Sequence, residues 1–166
     1  MPLSDQIAAA KDQLNRTLGL FPRVDGKASV ILAVDTSMLA LLTTRASPYV
    51  SLRWEWIPIG LAVFMLAMSL WHVHKEAFPT LAGGERSLLY FREIAKLDEA
   101  SYLSRWDAMA DADYINDLLK QVWRNSEILT EKFDHIRLAL NYMLAAIIPW
   151  LVSIVLVLWR PLASAP

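Results

Sequence analysis

Three apolar segments restrict the possible folds of this chain more than any other feature of its sequence. They comprise residues 28–44, 57–73 and 138–160, and the last of them is free of charge until Arg160. A helix needs about 20 apolar residues, with a range of about 17 to 25, to cross the hydrocarbon core of a bilayer. The segments therefore predict three transmembrane helices, of which the first two lie at the short end of this range.

Tryptophans flank the second and third segments where a membrane would meet water. Trp54, Trp56 and Trp71 bracket the second segment, and Trp159 ends the third. Such interfacial belts are enriched in this residue type. A chain of 166 residues, 55% of them hydrophobic, is long enough for one small membrane bundle.

The basic residues predict how these helices are oriented. Residues 1–27 contain four Lys and Arg, residues 74–137 contain nine, the loop 45–55 contains two, and only Arg160 follows the third segment. Lys and Arg accumulate on the cytoplasmic side of membranes. Three spans place the N-terminus and the central segment on the same side, so both are predicted to be cytoplasmic.

The segments outside the membrane are predicted to be helical as well. Residues 3–20 form an amphipathic pattern within the N-terminal segment 1–27. The central segment 74–137 shows three helical patterns. The first covers 85–97, the second begins after the predicted N-cap Asp98, and the third begins at about residue 112.

The last of these patterns meets no glycine or proline before Pro149, so one long helix is predicted to continue from the cytoplasm into the third span. The predicted fold class is an all-α membrane helical bundle with three transmembrane helices and a cytoplasmic helical region.

Composition and motifs argue against several function classes. The net charge is −1 and cysteine is absent, which argues against nucleic-acid binding and excludes disulfides and thiolate chemistry. No phosphate-binding glycine loop or hydrolase signature is present. His72, His74 and Glu76 have poor spacing for a metal site, and His135 stands alone. We therefore predict no enzyme activity, no catalytic residues, no metal and no cofactor.

Charged and aromatic residues near the membrane suggest a small ligand instead. Binding of a nucleotide needs cations for the phosphate and an aromatic face for the base. Both types occur in a set of six residues: Arg23, Asp25, Lys27, Phe91, Arg92 and Tyr102. The competing interpretation is that the cations flank a span and the aromatics belong to a core, and the spacing by itself favours it.

Four stretches of the chain resemble the Pycsar transmembrane effector family. They are DGKASVILAVDTSMLALL, LYFREIAKL, LDEASYL and the long helix that carries Asp117, Gln121, Ser126, Ile128, Lys132 and Phe133. Their order and spacing agree with the family from Arg16 to Trp159. Lys132 joins the candidate ligand-binding residues through this resemblance. The loop TTRASPYVSLRW before the second span departs from the family, so no function carried by that loop is transferred.

The resemblance implies an antiphage effector of the bacterial inner membrane. Such an effector senses cyclic CMP or cyclic UMP, which a separately encoded pyrimidine nucleotide cyclase supplies, and compromises the membrane in abortive infection. It further implies that residues 74–137 are the sensor region. Two alternatives stay open: a nucleotide-independent membrane scaffold or toxin controlled by a partner protein, and, more distantly, a membrane enzyme.

Asp35 lies in the middle of the first apolar segment, where an aspartate is unfavourable by about 2.5 to 3.5 kcal/mol. We expect a single three-helix unit to bury it poorly, which favours a homo-oligomer. Asp35 and Asn141 are therefore candidate pore or intramembrane polar residues. The alternative is a hydrogen bond from Asp35 to Asn141 or Tyr142, or a protonated acid.

Overall fold

The computed structural model describes residues 1–45, 54, 56–78 and 84–158, and its regular elements in these ranges are helices. The six helices are α1 (Leu3–Leu18), α2 (Phe21–Arg45), α3 (Trp56–Ala77), α4 (Phe91–Ile94), α5 (Glu99–Asp107) and α6 (Asp111–Leu158). The predicted all-α fold with a long last helix is confirmed, since α6 has 48 residues. Residues 46–53 and 55 of the predicted loop, and residues 159–160 of the third span, lie outside the described residues.

The chain divides into two compact units. The described residues of the first unit are 1–23 and 84–131, and those of the second unit are 24–45, 54, 56–78 and 132–158.

The second unit has an apolar core between α2, α3 and α6. Its buried residues are Met38, Leu42, Ala62, Leu66 and Ala146. Small residues at such contacts let helix backbones approach closely, which is how helices associate inside a membrane. The indole N–H of Trp150 adds a polar link, because it donates to the carbonyl oxygen of Met38 at 3.1 Å.

The outer faces of these helices carry many exposed apolar side chains. Three helical stretches, within Leu3–Thr43, Trp56–Ala77 and Asp111–Leu156, are long and apolar enough to cross a membrane. Large apolar side chains project outward along them, including Val30, Ile57, Phe64, Ile148 and Val155. Such a surface suits lipid rather than water, so the prediction of a membrane protein is confirmed.

The first unit corrects the prediction of a helix over residues 85–97. Only α4 is helical there, because side chains bind the backbone N–H groups of the preceding segment. Asp117 accepts from the N–H of Leu88 at 2.9 Å, and the hydroxyl of Ser87 accepts from the N–H groups of Leu89 and Tyr90 at 3.1 and 3.0 Å. Side-chain acceptors of this kind compete with helical hydrogen bonding.

Helix α5 begins where the sequence predicts it. Asp98 is the N-cap, and its side chain accepts from the backbone N–H of Ser101 at 2.9 Å. This hydrogen bond lowers the pKa of the Asp98 carboxyl below its ordinary value, because it favours the charged form. The predicted cap is therefore confirmed.

Gly84 begins the non-helical segment with a left-handed backbone. Its φ is 74°, and a Cβ at this position would lie 2.5 Å from Cδ1 of Tyr90. Gly84→Ala is therefore expected to lower the free energy of unfolding by about 1 to 3 kcal/mol, measured by thermal unfolding in detergent.

Gly26→Ala is the matched control, since it lies within α2 and a Cβ there meets no atom within 4 Å. It should raise stability by about 0.5 to 1 kcal/mol. Equal stability of the two variants would contradict the role assigned to Gly84.

Candidate functional site

A row of polar side chains lies inside the second unit, where its three long helices meet. Each residue of the row comes from one of those helices, and the contacts follow one another along α3 and α6. We call this row the polar ladder; it consists of Asp25 and Asp35 of α2, Ser69, His72 and Glu76 of α3, and Lys132 and His135 of α6. On α3 and on α6 the members recur three or four residues apart, which places them on one face of each helix.

Lys132 occupies one end of the polar ladder and links all three helices. Its ammonium nitrogen lies 2.9 Å from Oδ1 of Asp25 and 2.7 Å from Oε1 of Glu76. It also donates to the carbonyl oxygen of Glu76 at 3.0 Å. Lys132 and Glu76 are almost fully buried, whereas the Asp25 side chain is 58% exposed. This end of the ladder therefore opens towards solvent.

The surroundings of Lys132 are unsuited to a phosphate group. Three oxygen atoms lie within 3.0 Å of the ammonium, as many as it has N–H groups. Two carboxylates against one ammonium leave a net negative charge, which repels an anion. A cavity of about 280 Å³ adjoins the cluster and is lined by Ser29, Leu32 and Val73 besides the charged groups. The geometry therefore favours a role for Lys132 in holding the helices together.

A pair of histidines forms the next level of the polar ladder. Nδ1 of His72 lies 3.1 Å from Nδ1 of His135. One of these nitrogens must carry a proton and the other must not, so the pair holds at least one neutral imidazole. The ring of His72 also stacks on Tyr142, with centroids 5.6 Å apart and planes at 12°. His135 is isolated in the sequence, but in the folded chain it is paired with His72.

Asp35 lies at the deep end of the polar ladder and is 0% exposed. Its polar neighbour is Ser69, whose hydroxyl donates instead to the carbonyl oxygen of Ala139 at 2.9 Å. Neither carboxylate oxygen of Asp35 has a hydrogen-bond partner among the described residues. The alternative of a bond to Asn141 or Tyr142 is thus not realised. The expectation that one chain buries Asp35 poorly is also wrong, because the three helices of one chain enclose it completely.

The remaining predicted residues of the second unit lie beside the ladder. The Lys27 ammonium lies over the ring of Phe133, 5.6 Å from its centroid. Asn141 is exposed on α6, so within one chain it does not line the polar ladder.

The other four predicted ligand-binding residues belong to the first unit. Arg23 is exposed near the start of α2. Phe91 and Arg92 are exposed on the single-turn helix α4, and Phe91 is in edge contact with Tyr90. Tyr102 of α5 lies against Trp106, with ring centroids 6.1 Å apart. Of the seven predicted ligand-binding residues, the structure thus brings together Asp25 and Lys132.

Sequence reasoning found the ends of the polar ladder and missed its middle. His72 and His135 are 63 residues apart, so no local spacing connects them. One signal was available: Ser69, His72 and Glu76 recur at helical spacing along α3, and the first two lie in an otherwise apolar span. A polar stripe on a membrane helix indicates a face that is turned away from lipid.

Comparison with known proteins identifies the family of the chain. The model of the Pycsar effector protein domain matches residues 9–159, which is nearly the whole chain. Searches of curated proteins and of solved structures gave no match. The matched range includes α2, α3 and all of α6, and hence every residue of the polar ladder. The chain therefore belongs to the Pycsar effector family, whose members act in antiphage systems that signal with cyclic pyrimidine nucleotides.

Proposed function

We propose that this protein senses cyclic CMP or cyclic UMP during phage infection and then depolarises the bacterial inner membrane. A separately encoded pyrimidine nucleotide cyclase supplies the signal, in keeping with the family. The chain itself acts without catalysis, as a membrane effector whose N-terminus is cytoplasmic. The excess of Lys and Arg in residues 1–27 and 74–137 supports this orientation.

The polar ladder is the observation that carries the proposal of membrane damage. Ionisable side chains inside membrane helices are rare, and they commonly mark ion paths or proton relays. Here Asp35 and His72 lie within the predicted spans, and His135 and the ion cluster of Asp25, Glu76 and Lys132 continue the row beyond the cytoplasmic ends of those spans. We propose that this row becomes the wall of a path for protons or small cations when the protein is activated.

The resting structure suggests what activation must change. Lys132 holds α2, α3 and α6 together through Asp25 and Glu76. A ligand shifts such an equilibrium only if it binds one state better than the other. In our proposal the nucleotide favours a state in which these helices separate and water reaches Asp35. A homo-oligomer would surround the resulting path with several copies of the polar ladder.

The proposal predicts nucleotide-dependent loss of membrane potential. Cells that produce the protein should lose dye-reported potential when a pyrimidine cyclase is co-expressed, and should keep it with a catalytically inactive cyclase. Purified protein in liposomes should likewise dissipate an imposed potential after addition of cyclic CMP or cyclic UMP, with cyclic AMP as the control nucleotide.

Two results would contradict the proposal. Depolarisation that is equal with active and inactive cyclase would favour a toxin or scaffold controlled by a partner protein. An unchanged potential in cells and in liposomes, with the protein present in the membrane, would exclude membrane damage as its activity.

A further inference from the structure

The first unit contains a cavity of about 700 Å³, separate from the residues that the sequence suggested for ligand binding. One wall is the segment 84–87, and the other is a face of α6. The residues that matter for its chemistry are Arg86, Asp113, Asn116, Lys120, Trp123 and Arg124. The five that lie on α6 recur at three- and four-residue spacings, so they share one side of the helix. A volume of this size is typical of small-molecule sites.

The walls of this cavity are fixed to each other. The N–H of Leu88 donates to Asp117 at 2.9 Å, and the amide of Gln121 donates to the hydroxyl of Ser87 at 3.1 Å. These bonds join Ser87 and Leu88 to α6, and their acceptors are buried. Arg86 has a left-handed backbone with φ of 61°, which is rare outside glycine and recurs at ligand sites. The cavity is thus preformed rather than a gap between mobile elements.

The side chains offer the three kinds of contact that a pyrimidine nucleotide needs. Trp123 is 66% exposed although it is a large apolar residue, and its ring is available for stacking on a base. Lys120 and Arg124 lie one turn apart on α6 and can approach a phosphate, although Arg124 also pairs with Glu127 at 3.0 Å. Asn116 can donate and accept hydrogen bonds at the polar edge of a base, and the carboxylate of Asp113 can accept them.

The charged side chains that line the cavity restrict the net charge of the phosphate group that it can bind. Three cationic side chains line the cavity, and three carboxylates line it as well. Such a balanced lining tolerates the single negative charge of a cyclic phosphodiester better than the two charges of a phosphate monoester. We propose that this cavity binds a pyrimidine 3′,5′-cyclic nucleotide, with its base on Trp123 and its phosphate between Lys120 and Arg124. This inference rests on the proposed function and locates the sensor within it.

Titration calorimetry on the full-length protein in detergent micelles tests the assignment. The ligands are cyclic CMP, cyclic UMP and linear 5′-CMP. We expect Trp123→Ala and Lys120→Ala each to weaken the binding of the preferred cyclic nucleotide at least tenfold. Leu103→Ala and Arg105→Ala are the matched controls, because both residues are exposed in the first unit and neither lines the cavity. The controls should bind as the parent does.

The outcomes separate errors in the location of the site, in the type of phosphate and in the proposed function. Thermal unfolding of every variant ensures that only folded protein is compared. Binding as tight as that of the parent in both cavity variants, or loss of binding in Leu103→Ala, overturns this location and leaves the proposed function intact. Tighter binding of 5′-CMP than of either cyclic nucleotide overturns the assignment of a phosphodiester. Absence of binding by the parent protein itself overturns the proposed function, and the cavity assignment with it.

Discussion

Replacing Lys132 by methionine is expected to lower the free energy of unfolding by about 3 to 5 kcal/mol. The change removes the ammonium that lies 2.7 Å from Glu76 and 2.9 Å from Asp25. Asp25 can turn to water, but Glu76 is 1% exposed and keeps a buried carboxyl without a counter-charge. Removal of one partner from a buried ion pair is strongly destabilising for this reason. Thermal unfolding in detergent, followed by circular dichroism, measures the effect.

A double variant separates the loss of charge pairing from the loss of packing. Glu76→Met combined with Lys132→Met should recover most of the lost stability, because an apolar pair can replace a buried ion pair at little net cost. Arg137→Met is the control on the same helix, since Arg137 is exposed and should tolerate the change. A double variant that is as unstable as Lys132→Met would show that the aliphatic stem of Lys132, and not its charge, holds the helices.

Replacing Asp35 by asparagine is expected to separate stability from activity. The carboxylate is fully buried and has no hydrogen-bond partner among the residues that the structure describes. Such a group opposes folding by about 1 to 3 kcal/mol, so Asp35→Asn should leave the unfolding temperature unchanged or raise it. Nucleotide-dependent depolarisation should fall at least tenfold, since the amide cannot carry the charge or exchange the proton that the proposed path requires.

Two further variants make the Asp35 result decisive. Asp35→Leu removes all polarity at the site and should abolish depolarisation as well. Thr36→Val changes the neighbouring residue, which is exposed and whose hydroxyl donates to the carbonyl oxygens of Leu32 and Ala33 in its own helix, so it should depolarise as the parent does. If Asp35→Asn and Asp35→Leu both retain parental depolarisation in the dye assay, Asp35 has no part in an ion path.

The first span shows that hydropathy locates the apolar part of a helix but not its N-terminal end. Its apolar segment begins at residue 28, whereas α2 begins at Phe21. The extra turns carry Asp25 and Lys27, which are exposed and lower the local hydropathy without interrupting the helix. Pro22 is tolerated because the first turn of a helix leaves its N–H groups without intrahelical partners. Hydropathy therefore located the apolar part of the span and missed the turns that bring Asp25 to Lys132.

The segment 84–90 shows the opposite error, in which a helical pattern did not become a helix. Its apolar spacing is helical, but Gly84 and Arg86 adopt left-handed backbones. The N–H of Leu88 is taken by Asp117, which lies 29 residues away in the sequence. Rules based on neighbouring residues cannot predict a hydrogen-bond acceptor that is so distant in the sequence.

The sequence by itself determined the three spans, the cap at Asp98, the long last helix and the family resemblance. Each of these depends on residues that are neighbours in the chain, because hydropathy, helical period and capping are local properties. Tertiary structure alone decided which polar residues meet. It enclosed Asp35 within one chain, joined His72 to His135 and surrounded Lys132 with three oxygens. These contacts arise from the packing of α2, α3 and α6; within the spans, polar side chains face one another because burial between helices is more favourable than exposure to lipid.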